Sequence, residues 1–96
     1  MDRNKKINLM GKIIEVNGEC YTGHFAGEEI DLTLELKGKI VRSVPLCPFF
    51  FNVIFPYLNT LQFGGTLPWQ EDPNILIDAC PDSEKVKIRI ERTLVD

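Results

Sequence analysis

Ninety-six residues bound this chain to one domain, 1–96, long enough to bury a core without obligatory staples. Apolar residues make up 44% and charged residues 26%, a globular balance that excludes a disordered chain. The net charge of −3 leaves no electrostatic footprint for a phosphate backbone, so no nucleic-acid partner is expected.

In chain order, Met1-Asp2-Arg3-Asn4-Lys5-Lys6 starts basic, but no apolar h-region follows, so no secretory signal is expected. Ile7, Leu9, Gly11 and Ile13 alternate with polar or small neighbours, the period of a half-buried strand. Asn17-Gly18 is a strong hairpin signal, because both residues tolerate positive φ. Cys20 to Gly27 carries glycines around His24 and reads as a loop. Ile30, Leu32, Leu34 and Leu36 then give the cleanest two-residue period in the chain, and Lys37-Gly38 turns it into a short strand near Ile40 to Val44.

From Pro48 to Phe63 apolar residues are too dense for strands with turns. Pro48 suits a first helical turn and Gly64-Gly65 suits its end. Pro56 inside the stretch predicts a kink or two short helices. Leu67 to Pro73 is a loop carrying Trp69, and a last hairpin joins Ile75–Ala79 to Val86, Ile88 and Ile90 through Pro81-Asp82-Ser83. The fold class is therefore α+β: a curled antiparallel sheet of about four to six strands with one Pro-kinked helix packed on it.

One helix in a small domain normally buries a single stripe. The surplus aromatic surface of residues 48–63 predicts a homodimer or a protein partner there. The alternative is that curled strands wrap the helix within one chain. No run approaches the ~20 apolar residues of a membrane span, so no membrane association is expected.

Cys20, His24, Cys47 and Cys80 match in number one tetrahedral Cys₃His site, and all four fall at predicted element ends. Thiolates and imidazole favour zinc or an iron–sulfur cluster over magnesium or calcium. Cys47 precedes Pro48 at the head of the helix, where unpaired N–H groups stabilise a thiolate. Against a site, 26 residues lie between Cys20 and Cys47 and 32 between Cys47 and Cys80, which matches no compact knuckle. Buried thiols also behave simply as small hydrophobes. A reversible disulfide centred on Cys47 is a third reading, weakened by the absence of C-x-x-C. The odd cysteine count fits a reducing cytoplasm.

Other side chains offer less. Glu28-Glu29-Asp31, Glu71-Asp72 and Asp82-Glu84 read as solvated carboxylates, and Lys85, Lys87, Arg89 and Arg92 as one basic stripe on a wet face. Trp69 is either a ligand-stacking ring or, in the favoured reading, a plug beneath a loop. No G-x-S-x-G, Walker loop or dinucleotide fingerprint is present.

Several ordered matches lie between Cys20 and the C-terminus. They are Cys20-Tyr21-Thr22-Gly23-His24-Phe25-Ala26-Gly27-Glu28, then Cys47-Pro48, Phe55-Pro56-Tyr57, Phe63-Gly64-Gly65-Thr66-Leu67-Pro68-Trp69, Asp72-Pro73, Ala79-Cys80-Pro81-Asp82 and Glu91-Arg92. Together they resemble a family of small prokaryotic proteins known only as an uncharacterised repeat protein, with the pattern C-x-x-G-H-x-x-G-[DE]. The resemblance implies that Cys20, His24, Cys47 and Cys80 belong together, and that Gly65 and Trp69 belong to a structural signature. It implies no reaction. Two places depart from it: Val44-Pro45-Leu46 stands where Pro-Glu-Gly is usual, and Phe49-Phe50-Phe51 replaces a small-residue helix start.

Overall fold

The computed structural model describes residues 6–18, 23–36, 39–40, 45–81 and 84–95. One helix lies on an open four-stranded antiparallel sheet, so the α+β expectation holds. In chain order the strands are β1 (Lys6–Val16), β2 (Glu29–Asp31), β3 (Glu35–Leu36) and β4 (Lys39–Ile40). Helix α1 (Pro48–Gln62) follows, then β5 (Ile75–Ala79) and β6 (Val86–Val95). The main sheet has the order β2-β1-β6-β5, and β3 and β4 form a separate two-stranded pair.

The long central strands form because their alternation sorts cleanly between two faces. Ile7, Leu9 and Ile13 of β1, with Val86, Ile88 and Ile90 of β6, point to the helix side and are buried. Ile30 of β2 and Leu76 of β5 extend this face outward, and Phe50, Ile54, Leu58 and Leu61 of α1 close over it. Asn8, Met10 and Lys12 stand on the other face, which is open. Register shifts once between β1 and β6, at Ile14, which is inserted as a bulge between Ile13↔Ile88 and Glu15↔Lys87.

Two local expectations are corrected. Asn17-Gly18 does not close a two-residue hairpin. Gly18 does take positive φ, but β1 pairs next with β2, at Lys12↔Glu29, across residues 17–28. The alternating run from Ile30 to Leu36 is not one strand either. Leu32, Thr33 and Leu34 are all buried in succession, which a flat strand cannot do. After a last backbone bond from the Leu32 N–H to the Leu9 carbonyl, side chains replace the ladder there. Asp31 Oδ1 accepts from the Thr33 N–H, and Thr33 Oγ1 accepts from the Leu9 N–H. The buried amide of Gln62 accepts from the Leu34 N–H and donates to the Ile7 carbonyl, tying this loop and β1 to the end of α1. Residues 37–38, 41–44 and 82–83, which carry two predicted turns and part of a predicted strand, lie outside the described residues.

Helix α1 runs through Pro56 as one helix rather than two. Pro48 occupies its first turn, and the Phe51 N–H closes the first intrahelical bond on the Cys47 carbonyl. The helix ends in a Schellman arrangement. Gly65 N–H donates to the Thr60 carbonyl and Gly64 N–H to the Leu61 carbonyl, with Gly64 at φ 91°. A Cβ on Gly65 would lie 2.8 Å from Thr60 Cγ2, so glycine is needed at both positions for different reasons.

Candidate functional site

The loop bearing His24 is pinned to β1. Gly27 N–H donates to the Ile13 carbonyl and Ile13 N–H to the Glu28 carbonyl, with Gly27 at positive φ. This places His24 against the head of α1. Its ring is 6% exposed, with Nδ1 2.8 Å from Glu28 Oε1. Its Nε2 accepts the Cys47 N–H at 3.1 Å. The two bonds define the tautomer: Nδ1 carries the proton and donates it to the carboxylate, while the Nε2 lone pair receives the helix-capping amide. His24 thus satisfies the orphan N–H of the N-cap residue of α1, a job that the N3 side chain of a capping box does elsewhere. Glu28, expected as solvated surface, is instead the group that orients this ring.

Cys47 and Cys80 are both half-buried and pack against the hydrophobic core. Cys80 lies just beyond β5, and its N–H donates to the Val86 carbonyl. Among the described residues, no three His, Cys, Asp or Glu side chains come together as a metal-binding group. Cys20 lies outside the described residues. Of the expected set, therefore, the structure brings His24 and Cys47 into direct contact through the backbone, and both His24 nitrogens are engaged by protein groups.

The outer face of α1 is the second candidate. Phe49 and Phe63 are 78% and 65% exposed, Val53 and Phe55 are also exposed, and Trp69 is 56% exposed. Trp69 is not a plug beneath a loop. It rides on the turn from Leu67 to Gln70 and meets Tyr57 edge-on, with ring centroids 5.2 Å apart. Gln70 holds that turn: its Oε1 accepts from the Leu67 N–H and its Nε2 donates to the Ile75 carbonyl. From Pro45 to Gln70 the sequence contains no Asp, Glu, Lys or Arg. No helix among the described residues is long and apolar enough to cross a membrane.

Arg92 does not belong to the wet basic stripe expected of it. Lys87 and Arg89 do lie on the open face, but Arg92 has the opposite parity and is 6% exposed. Its guanidinium donates from Nη1 to the carbonyls of Leu61 and Gly65, from Nη2 to Pro73 and from Nε to Asn74 Oδ1. It clamps the end of α1 and the loop after it, and burial pushes its pKa down. The even numbering, in phase with Ile88 and Ile90, was the signal available in the sequence.

Comparisons with protein-family models, with curated proteins and with solved structures find no match.

Proposed function

We propose that this chain is an interaction module that pairs with a second copy of itself through the outer face of α1. The observation that carries the reading is the aromatic outer face itself: large rings stand exposed along a helix whose opposite side already fills the core. Exposed apolar patches of this extent mark interaction surfaces in soluble domains. The missing charge favours an identical partner. A two-fold axis sets a surface against its own copy, so a charged face opposes like charges, whereas an apolar and amide face is complementary to itself. The same lack of Lys and Arg argues against an anionic membrane surface, which basic amphipathic helices recognise. Sedimentation equilibrium of the wild-type chain over a wide concentration range tests it. A dimer is expected, and a monomer throughout removes the reading.

A second reading rests on the Cys47 N–H to His24 Nε2 bond, which holds two of the four candidate donors at one place. In this reading Cys20, His24, Cys47 and Cys80 hold zinc or an iron–sulfur cluster in a structural or electron-transfer role. Glu28 on Nδ1 is the outer partner that ligating imidazoles usually have, but Nε2 must first release the Cys47 amide. Metal analysis and a visible spectrum of anaerobically purified protein decide it. Near-stoichiometric metal, lost in Cys47→Ala, supports the site, and metal-free, stably folded protein removes it.

A further inference from the structure

The outer face of α1 carries a symmetry in its sequence. Phe49, Pro56 and Phe63 are spaced seven apart, so they line one row along the helix. About Pro56 as a centre, Phe49 mirrors Phe63, Asn52 mirrors Thr60, and Val53 mirrors Asn59. Resting on the dimer reading above, we infer that two copies pair with their α1 helices antiparallel, crossing at Pro56.

Three observations support this register. The first is area. Aromatic side chains carry about 150–250 Å² each, so the exposed parts of Phe49 and Phe63 in the row come to roughly 300 Å², and Phe55 and Trp69, which flank the row on opposite sides, bring the exposed aromatic surface to roughly 500 Å². A standard interface takes about 800 Å² from each partner, and about 65% of a homodimer interface is apolar. The row alone supplies about half of the apolar share that a stable dimer needs, and the row with both flanks about all of it, so the partner covers Phe55 and Trp69 as well. The second is polar pairing. Pro56 has no N–H, so the Asn52 carbonyl lacks its helical donor at the centre of the face. Thr60 donates its hydroxyl proton to the Pro56 carbonyl at 3.1 Å, which keeps the Oγ1 lone pairs available to accept. In the antiparallel register, Asn52 of one copy faces Thr60 of the other, an amide donor against a hydroxyl acceptor. The third is the helix dipole. Antiparallel helices set each N-terminus beside the other's C-terminus, whereas a parallel pair sets like ends together. The ring of Pro56 is also the smallest group of its row, so the backbones approach there while the phenylalanines fill the two ends.

Charge complementation reads the register directly. F49E places an acid near the N-terminus of α1 and F63K a base near its C-terminus. Both sites are mostly exposed and both charges suit the dipole, so the variants fold, as circular dichroism checks. Each variant alone dimerises at least about tenfold more weakly than wild type. An equimolar mixture of F49E and F63K recovers a heterodimer in native mass spectrometry, whereas F49E mixed with F49K does not. Recovery only in the F49E and F49K mixture overturns the antiparallel register while leaving the dimer intact. Single variants that dimerise as wild type place the interface elsewhere and overturn both readings. A monomeric wild type removes the dimer itself.

Discussion

Ile88, the diagonal neighbour of Gly11 across β1 and β6, leans over it so closely on the buried side of the sheet that a Cβ on Gly11 would lie 2.8 Å from Ile88 Cδ1. It would also lie 2.9 Å from Leu32 Cδ1. Gly11 is thus the gap in β1 into which two core side chains pack, and its backbone needs no positive φ. Gly11→Ala is expected to cost about 1–3 kcal/mol by overpacking, despite the higher strand propensity of any residue with a Cβ. Ile88→Val removes the nearest atom and alone costs about 0.5–1.5 kcal/mol. Urea denaturation of the single and double variants checks the pair. In the Gly11→Ala background the Ile88→Val cost shrinks or reverses; strict additivity would mean the space is relieved elsewhere.

His24 joins a loop carboxylate to the head of the helix, so its two bonds are expected to act as one unit. His24→Ala leaves the Cys47 N–H and the Glu28 carboxylate without this partner and costs about 1–3 kcal/mol. Glu28→Ala removes the orienting acceptor and costs less. A double-mutant cycle on urea midpoints is the measurement, and a coupling of about 0.5 kcal/mol or more is expected. A cycle that closes to zero would show the ring is held by packing alone.

The long strands were legible because one side of each is covered and the other open, so burial writes itself into the sequence at period two. Helix α1 was legible from its apolar density and its Pro48 and Gly64-Gly65 ends. Where polar side chains replace backbone partners, alternation misleads. The Ile30–Leu36 run looks like one strand, but Thr33, Asp31 and Gln62 divert its amides and turn three successive residues inward. The His24–Glu28 pair has helical i,i+4 spacing yet sits on a loop, and its partner Cys47 comes from a distant segment. No local pattern announces such a contact. Side-chain parity, not charge, places Arg92 with Ile88 and Ile90 on the buried side.

Glu15 and Lys87 meet at 3.1 Å just beyond the bulge at Ile14, both half-exposed. The hydrogen bond from Lys87 holds the Glu15 carboxyl below the usual carboxylate range, with a hydrogen bond from Asn17 and the Lys87 charge adding to it. Because the folded value is depressed, the pair's stabilisation is present above the unfolded carboxylate value. It is lost as pH falls through the folded one. Exposure to solvent keeps the effect small. Lys87→Met is expected to raise the Glu15 titration midpoint, read by NMR from its side-chain carboxyl, with the Asn17 contribution persisting. An unmoved midpoint would assign the shift to Asn17.

Arg92 supports four oxygens with one planar group, and no carboxylate is among them. Its role is therefore to serve the carbonyls that the end of α1 and the 65–74 loop leave over, with the negative end of the helix dipole partly offsetting a buried positive charge. Lysine keeps the charge but concentrates its donors on one nitrogen, so Arg92→Lys is expected to lose about 2 kcal/mol. Arg92→Met fills similar space and serves none of the oxygens, and it costs about 3 kcal/mol or more. Burial lowers the folded pKa of this guanidinium from its ordinary value. Protonation therefore disfavours the folded chain by a constant amount while both states are charged, and stability rises with pH only between the folded and unfolded values, so the contribution stays flat from acid to mildly alkaline pH. Urea midpoints at several pH values test this, with hydrogen exchange across residues 65–74 as the local readout. Exchange there should quicken in Arg92→Lys before the central strands are affected. Arg92→Met within about 0.5 kcal/mol of wild type would mean that water replaces the guanidinium at all four oxygens, and that apolar packing alone fixes the end of α1.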